Sequence, residues 1–246
     1  MARTKPVNLS PQEIAFVEGL VIHKDADLLA VNKPAGLSSQ GGRIDVNTLD
    51  ELLAAFAKPS GSRPRLIHRL DRDTSGVLLA ARSQPAAAYL GKAMMARRFR
   101  KIYWAVVGGG APSPTEGVIA AALRREDIGR ESRVLVASED HPEAKASQTR
   151  YRTLSATSNV ALLEMEPRTG RMHQIRVHLA HLGRPILGDA RYGGALMADG
   201  VPVSRLMLHA RSLAFPHPQG GAATSIEAPP PADFMDLVAR LGLEAP

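Results

Sequence analysis

Three polar clusters carry residue types suited to chemistry, and each adjoins an apolar run. The first is Ile67-His68-Arg69-Leu70-Asp71-Arg72-Asp73-Thr74-Ser75-Gly76, just before the most apolar stretch of the chain. Loops on a rigid scaffold are where reactive groups are usually presented. Arg69, Asp71 and Asp73 are spaced two apart, so an extended segment would place them on one face. A carboxylate flanked by arginine is held ionised, because nearby positive charge favours the charged form. Such an aspartate can act as a nucleophile or as an electrostatic stabiliser. On the local sequence alone, a surface loop of salt bridges is an equal alternative.

The second cluster is Arg168-Thr169-Gly170-Arg171-Met172-His173-Gln174-Ile175-Arg176-Val177-His178, followed by Gly183-Arg184-Pro185-Ile186-Leu187-Gly188-Asp189. His173 and Arg176 stand three apart and would share a helix face. A donor-rich face can grip phosphate or buttress a carboxylate. Without context, a helix with a solvated basic face is the weightier reading. A metal site is not supported: His178 and His181 have no nearby carboxylate to complete a ligand set. The third cluster is Arg97-Arg98-Phe99-Arg100-Lys101-Ile102-Tyr103-Trp104. Basic residues followed by aromatics suit phosphates plus a stacking ring. Aromatics are scarce, at 4%, and this run holds the single Trp, so the clustering is informative. A basic helix end with ordinary core aromatics is the alternative.

Composition narrows the classes. The 246 residues include 31 Lys and Arg against 24 Asp and Glu, a formal net charge of +7, which favours an anionic partner such as nucleic acid, membrane surface or acidic metabolite. Cysteine is absent, which excludes disulfides, thiolate metal sites, iron–sulfur clusters and cysteine nucleophiles, and suits a reducing cytoplasm. No apolar run approaches the roughly 20 residues that span a bilayer. The basic start lacks the apolar segment of a signal peptide. There is no GxxxxGK[ST] phosphate loop, no GxSxG elbow and no strand–GxGxxG–helix unit.

The elements that must position these clusters are readable in outline. Ser10-Pro11-Gln12-Glu13 predicts a capped helix running to about Gly19. Strands are expected over 28–31, 76–81, 102–107, 117–123, 133–136, 146–154, 160–165 and 204–215. The run 76–81 is apolar on both faces, as in a central strand. The segment 146–154 alternates Thr149, Tyr151 and Thr153 with Arg150 and Arg152. Helices are expected over 49–56, 85–98 and 174–182, and Phe234, Leu237, Val238 and Leu241 form an apolar stripe at helical spacing. The pattern reads as one α+β domain over residues 1–246, built on a mixed, mainly antiparallel central sheet flanked by helices and loops.

Taken in order, the motifs resemble the RluA family of RNA pseudouridine synthases. The matching pieces are Asp27-Leu-Leu-Ala-Val-Asn-Lys-Pro-Ala-Gly36, His68-Arg-Leu-Asp-Arg-Asp-Thr-Ser-Gly76, Arg100-Lys-Ile-Tyr-Trp-Ala-Val-Val-Gly108 and Thr169-Gly-Arg-Met-His-Gln-Ile-Arg-Val-His178. Gly183 to Asp189, Tyr192-Gly193 and Arg205-Leu-Met-Leu-His-Ala210 complete the set. The resemblance covers a core of about 20–218. It implies a pseudouridine synthase fold and the isomerisation of uridine to pseudouridine in ribosomal RNA, transfer RNA or both.

By the same resemblance, Asp71 is the essential catalytic carboxylate, Tyr103 packs against the target base and Arg176 pairs with Asp71. Arg69 helps hold the RNA with its base extruded, and Leu208 lines the pocket. Arg97, Arg98, Arg100 and Arg171 are backbone contacts on charge alone. The reaction is redox-neutral and breaks no phosphate bond, so neither cofactor nor metal is expected. Many relatives carry an N-terminal S4 RNA-binding domain; about twenty residues precede the core here, so the resemblance is to the compact members that lack it. A cytoplasmic monomer with no membrane partner is expected. Two rivals stand beside this reading: a hydrolytic glycosidase or nucleosidase using Asp71 and Asp73, and a non-catalytic RNA-binding protein on the same fold.

Overall fold

The computed structural model describes residues 7–41, 47–128, 131–138 and 140–246. The chain opens with α1 (Pro11–Gly19), β1 (Val21–Lys24), β2 (Leu28–Lys33) and α2 (Leu49–Leu52), which tightens into a 3₁₀ turn over Leu53–Phe56. β3 (Arg65–Leu66), β4 (Ser75–Ala81), α3 (Gln84–Met95) and β5 (Arg100–Gly108) follow. Next come β6 (Glu116–Ala120), β7 (Leu123–Ile128), β8 (Glu131–Val136), β9 (Gln148–Ala156) and β10 (Val160–Pro167). The last elements are α4 (Gln174–His181), β11 (Met197–Ala198), β12 (Val201–Pro202), β13 (Leu208–Pro216), β14 (Ala223–Glu227) and α5 (Ala232–Arg240). The class is α+β, with antiparallel strand pairing.

The chain divides into two compact units. One comprises Met1–Phe99 with Ser212–Pro229; the other comprises Arg100–Arg211 with Pro230–Pro246. In the first, α1 starts on a capping box: Ser10 Oγ accepts from the Glu13 amide, and the Ser10 amide donates to the Glu13 carboxylate at 2.8 Å. Asn47 donates to the same carboxylate at 2.6 Å. β2 and β3 both pair antiparallel with β4, and every residue of β4 is buried. Its two-sided apolar sequence is thus that of a strand covered on both faces. The second half of β13 pairs with β14.

In the second unit the strand order is β5-β10-β9-β6. Tyr103 on β5 is in register with Met165 on β10, which is in register with Tyr151 on β9. The alternation along β9 is as read: Thr149 and Tyr151 are buried, whereas Arg150 and Arg152 are exposed. β7 and β8 form a hairpin whose Leu123 and Val134 pack with Val177 of α4 and with Tyr192. The stripe on α5 buries Phe234, Leu237 and Val238 in the same cluster as Trp104, Val106 and Leu208.

Several boundaries differ from expectation. The helix expected over 85–98 ends at Met95, and Arg97 adopts a left-handed conformation, φ 56°. Its amide and that of Arg98 return to the carbonyls of Met94 and Ala93, closing the helix without the glycine that usually marks such a stop. The strand expected over 117–123 divides: β6 ends at Ala120 and Leu123 opens β7. The strand expected from 204 begins at Leu208.

Candidate active site

The first polar cluster forms a pinned loop between β3 and β4. Ser39 Oγ donates to the Leu70 carbonyl at 2.7 Å and accepts from the Leu70 amide at 3.1 Å. On the other side of Asp71, the Arg72 carbonyl accepts from Lys33 Nζ and from the Gly36 amide, both at 2.9 Å. Lys33 is fully buried, and its ammonium also donates to the carbonyls of Pro34 and Leu37, each at 2.8 Å. A buried cation is costly unless hydrogen-bonded, and here three main-chain carbonyls accept from it. The Asn32-Lys33-Pro34-Ala35-Gly36 turn and the Asp71 loop are therefore one hydrogen-bonded piece.

Leu70 is buried and Asp71 half-buried, while Arg69, Arg72 and Asp73 are exposed. The Thr74 amide donates to the Asp71 carbonyl at 3.2 Å, so the segment turns at this point instead of running extended. Asp71 and Asp73 consequently occupy different environments, which weakens a paired-carboxylate glycosidase reading. His68 contributes locally: its Nε2 accepts from the Leu79 amide at 3.2 Å.

The second cluster separates into anchors and presented groups. Gln174 is buried and uses its whole amide. Its oxygen accepts from Thr169 Oγ1 at 2.7 Å and from the Arg171 amide at 3.1 Å. Its nitrogen donates to the Gln148 carbonyl and to Thr149 Oγ1, both at 2.9 Å. His178 is fully buried, with Nδ1 at 2.8 Å from Thr149 Oγ1 and Nε2 at 2.9 Å from Ser147 Oγ. Burial pushes its pKa down, because the protonated ring would lose its hydration. These two residues fix α4 to β9.

Arg176 lies on α4, whereas His173 is its N-cap in a left-handed conformation, φ 52°, so the two do not share a helix face as their spacing implied; both nevertheless meet Tyr192. Arg176 donates from Nε and Nη2 to the two oxygens of Asp189 at 2.7 and 2.8 Å. Asp189 is 2% exposed, so this fork-to-carboxylate pair is shielded from solvent screening. The Tyr192 ring lies 5.0 Å from the Arg176 guanidinium, a cation–π contact. The Tyr192 hydroxyl accepts from the Val134 amide at 3.2 Å and meets His173 Nδ1 at 2.8 Å. Burial raises the Tyr192 pKa, because the phenolate would lose its hydration.

Asp189 and Tyr192 sit on one glycine-dependent turn. The amides of Tyr192 and Gly194 both donate to the Asp189 carbonyl, at 3.1 and 2.8 Å. Gly188 has φ +77°, and a Cβ on it would lie 1.8 Å from the Arg205 carbonyl oxygen. Only glycine fits there.

Tyr103 lies on β5, half-buried against the second unit's core, and Leu208 opens β13 with 3% exposure. Arg97, Arg98 and Arg100 are exposed; Arg100 pairs with Glu166 at 3.2 Å, and Arg168 meets the same carboxylate at 3.1 Å. Of the residues expected to form the site, Arg69 and Asp71 belong to the first unit, and Tyr103, Arg176 and Leu208 to the second. Lys33, Ser39, Asp189 and Tyr192 were not singled out as site residues by sequence reasoning. Lys33 and Ser39 carry no local signal beyond a turn. Asp189 and Tyr192 do: a carboxylate and an aromatic in a glycine-rich turn after a donor-rich helix.

The Asp71 loop, β5 and α4 fall within a stretch matched by a family model. Residues 27–181 fit the model described as RNA pseudouridylate synthase. The chain belongs to this family, a class of isomerases. It is 40% identical over 215 residues to a Chloroflexus aurantiacus protein named as an RNA pseudouridine synthase, covering 85% of this chain and 65% of that protein. It is 34% identical over 249 residues to the ribosomal large subunit pseudouridine synthase D of Haemophilus ducreyi, covering 96% and 73% of the two chains. Among solved structures, human RNA pseudouridylate synthase domain containing 4 superposes with a TM-score of 0.81 at 28% identity, covering 96% of this chain and 98% of that one.

Proposed function

We propose that this chain isomerises uridine to pseudouridine in ribosomal RNA, and in transfer RNA where a site is presented, with Asp71 as the essential carboxylate. The observation that carries the reading is the Asp71 loop itself. A half-buried carboxylate stands between two residues whose main chains are fixed by Ser39 and by the fully buried Lys33. Such fixing costs nothing further at the moment of reaction. The Haemophilus ducreyi relative, named for the ribosomal large subunit, supports ribosomal RNA as the substrate.

The chemistry balances without an external reactant. The N1–C1′ bond breaks, the uracil turns, a C5–C1′ bond forms, the C5 proton leaves and N1 gains one. Asp71 adds to the sugar or the base, or takes the proton. The uridine must leave its stack for any of these routes. Tyr103 would pack on the extruded base, Arg69 would hold the RNA around it, Leu208 would supply apolar wall and Arg176 would face the carboxylate. The orientation of Arg176 by Asp189 and Tyr192 supports that role, since two of its donors are committed to holding the guanidinium plane.

The test is product analysis. An unmodified large-subunit ribosomal RNA transcript, incubated with the protein, should gain pseudouridine at defined positions and release no uracil. Release of free uracil would establish a hydrolase instead. Tight RNA binding with neither product would establish a non-catalytic RNA-binding protein.

A further inference from the structure

Lys101 stands out among the cations of the second unit. It lies on β5 two residues before Tyr103, so the two side chains share one face of the strand. Their separation along the strand is about 7 Å, which one nucleotide spans between base and phosphate. A Cβ placed on Gly170 would stand 4.0 Å from Lys101 Nζ, so the ammonium lies beside the loop after β10 at a position that carries no side chain. Burial pushes the Lys101 pKa down, and desolvation is its only cause. The neighbouring arginines differ: Arg100 and Arg168 share Glu166, and Arg152 pairs with Glu164 at 3.2 Å. Among the described residues no carboxylate is paired with Lys101.

A half-buried ammonium that has lost part of its hydration gains most from an anion brought to it. We propose that Lys101 binds a backbone phosphate of the substrate RNA, beside the uridine whose base Tyr103 receives. The inference rests on the reading above, because it takes the partner to be RNA and the Tyr103 face to be the base-receiving one. Lys101 would then register the strand on the protein, and Gly170 would leave the phosphate room to approach.

The test uses equilibrium binding of the same ribosomal RNA transcript over a range of salt, in an Asp71→Asn background that prevents turnover. Losing one phosphate contact should lower the slope of log affinity against log salt by about 0.7–1. Lys101→Met keeps the aliphatic stem and should show this loss with an unchanged or higher melting temperature, since a desolvated charge is removed. Lys101→Arg should restore the slope. Its affinity should also resist alkaline pH better than that of lysine, because arginine stays protonated. An unchanged slope in Lys101→Met overturns the proposal, as does a slope lost equally in Lys101→Arg. A slope lost only in company with a collapsed melting temperature also overturns it, because the lysine is then structural. The underlying reading is checked separately: if the wild-type protein forms no pseudouridine in the transcript, the function fails, whereas product with an unchanged slope removes only Lys101.

Discussion

The loop that carries Asp71 is pinned through its main chain, whereas Asp189 and Tyr192 act on the Arg176 side chain itself. Lys33, Ser39 and Gly36 hold the backbone of Leu70 and Arg72, the residues on either side of Asp71. Arg176 is placed by a carboxylate and an aromatic ring acting on its guanidinium. The first device fixes the course of the loop on both sides of Asp71. The second uses two donors of a five-donor group to fix the guanidinium plane.

The comparison can be broken at its glycines. Gly188→Ala should cost more than about 4 kcal/mol, because backbone strain and a carbonyl clash add. Gly36→Ala, at φ +85° with nothing within 4 Å, should cost only about 1–2 kcal/mol. Urea unfolding of both variants measures the difference, and equal costs would refute the distinct roles. Asp189→Asn should come next, at about 3–5 kcal/mol, because it strands a mostly buried guanidinium. Its turnover should fall while RNA affinity holds. Lys33→Met should cost about 3 kcal/mol by leaving carbonyls unsatisfied. Its kcat should drop with little change in KM. A Lys33→Met enzyme with normal kcat would show that the Asp71 loop holds its place without the clamp.

The smallest effect is a pH dependence. Burial lowers the His178 pKa in the folded protein, so the unfolded chain binds a proton more readily. Stability is full above the unfolded value of about 6.5 and is lost as pH falls below it toward the folded value. Melting temperatures from pH 7.5 down to 5 should decline in the wild type. They should decline less in His178→Asn, which has no proton to take up at that site.

The α4 region was more legible in the sequence than the Asp71 clamp. The second cluster brought His173 and Arg176 together, and both meet Tyr192, although His173 does so from the left-handed N-cap and not from a helix face. The alternation of β9, the two-sided burial of β4 and the capping box of α1 are periodic or local signals, and each appears where read. β1, β7 and β14 were not legible. β7 is Leu-Arg-Arg-Glu-Asp-Ile, whose charges give no period, and it is a strand because β8 pairs with it. Lys33 looked like part of a turn because its three acceptors come from main chain, including Arg72 at a sequence separation of 39, which no spacing rule encodes. The Asp189 partner of Arg176 lies 13 residues on, across a turn whose need for glycine becomes visible only when the Arg205 carbonyl is in place.

The most direct measurement of the central claim is pseudouridine formation by Asp71→Asn in large-subunit ribosomal RNA under single-turnover conditions. Asparagine keeps the shape of the side chain and the main-chain clamps, while losing the charge and nucleophilicity. Isomerisation should fall by roughly 10⁴-fold or more, with RNA affinity and melting temperature close to those of the wild type. Turnover within about tenfold of the wild type, a difference of no more than about 1.4 kcal/mol in the barrier, would contradict the assignment of Asp71 and with it the account of how this site works.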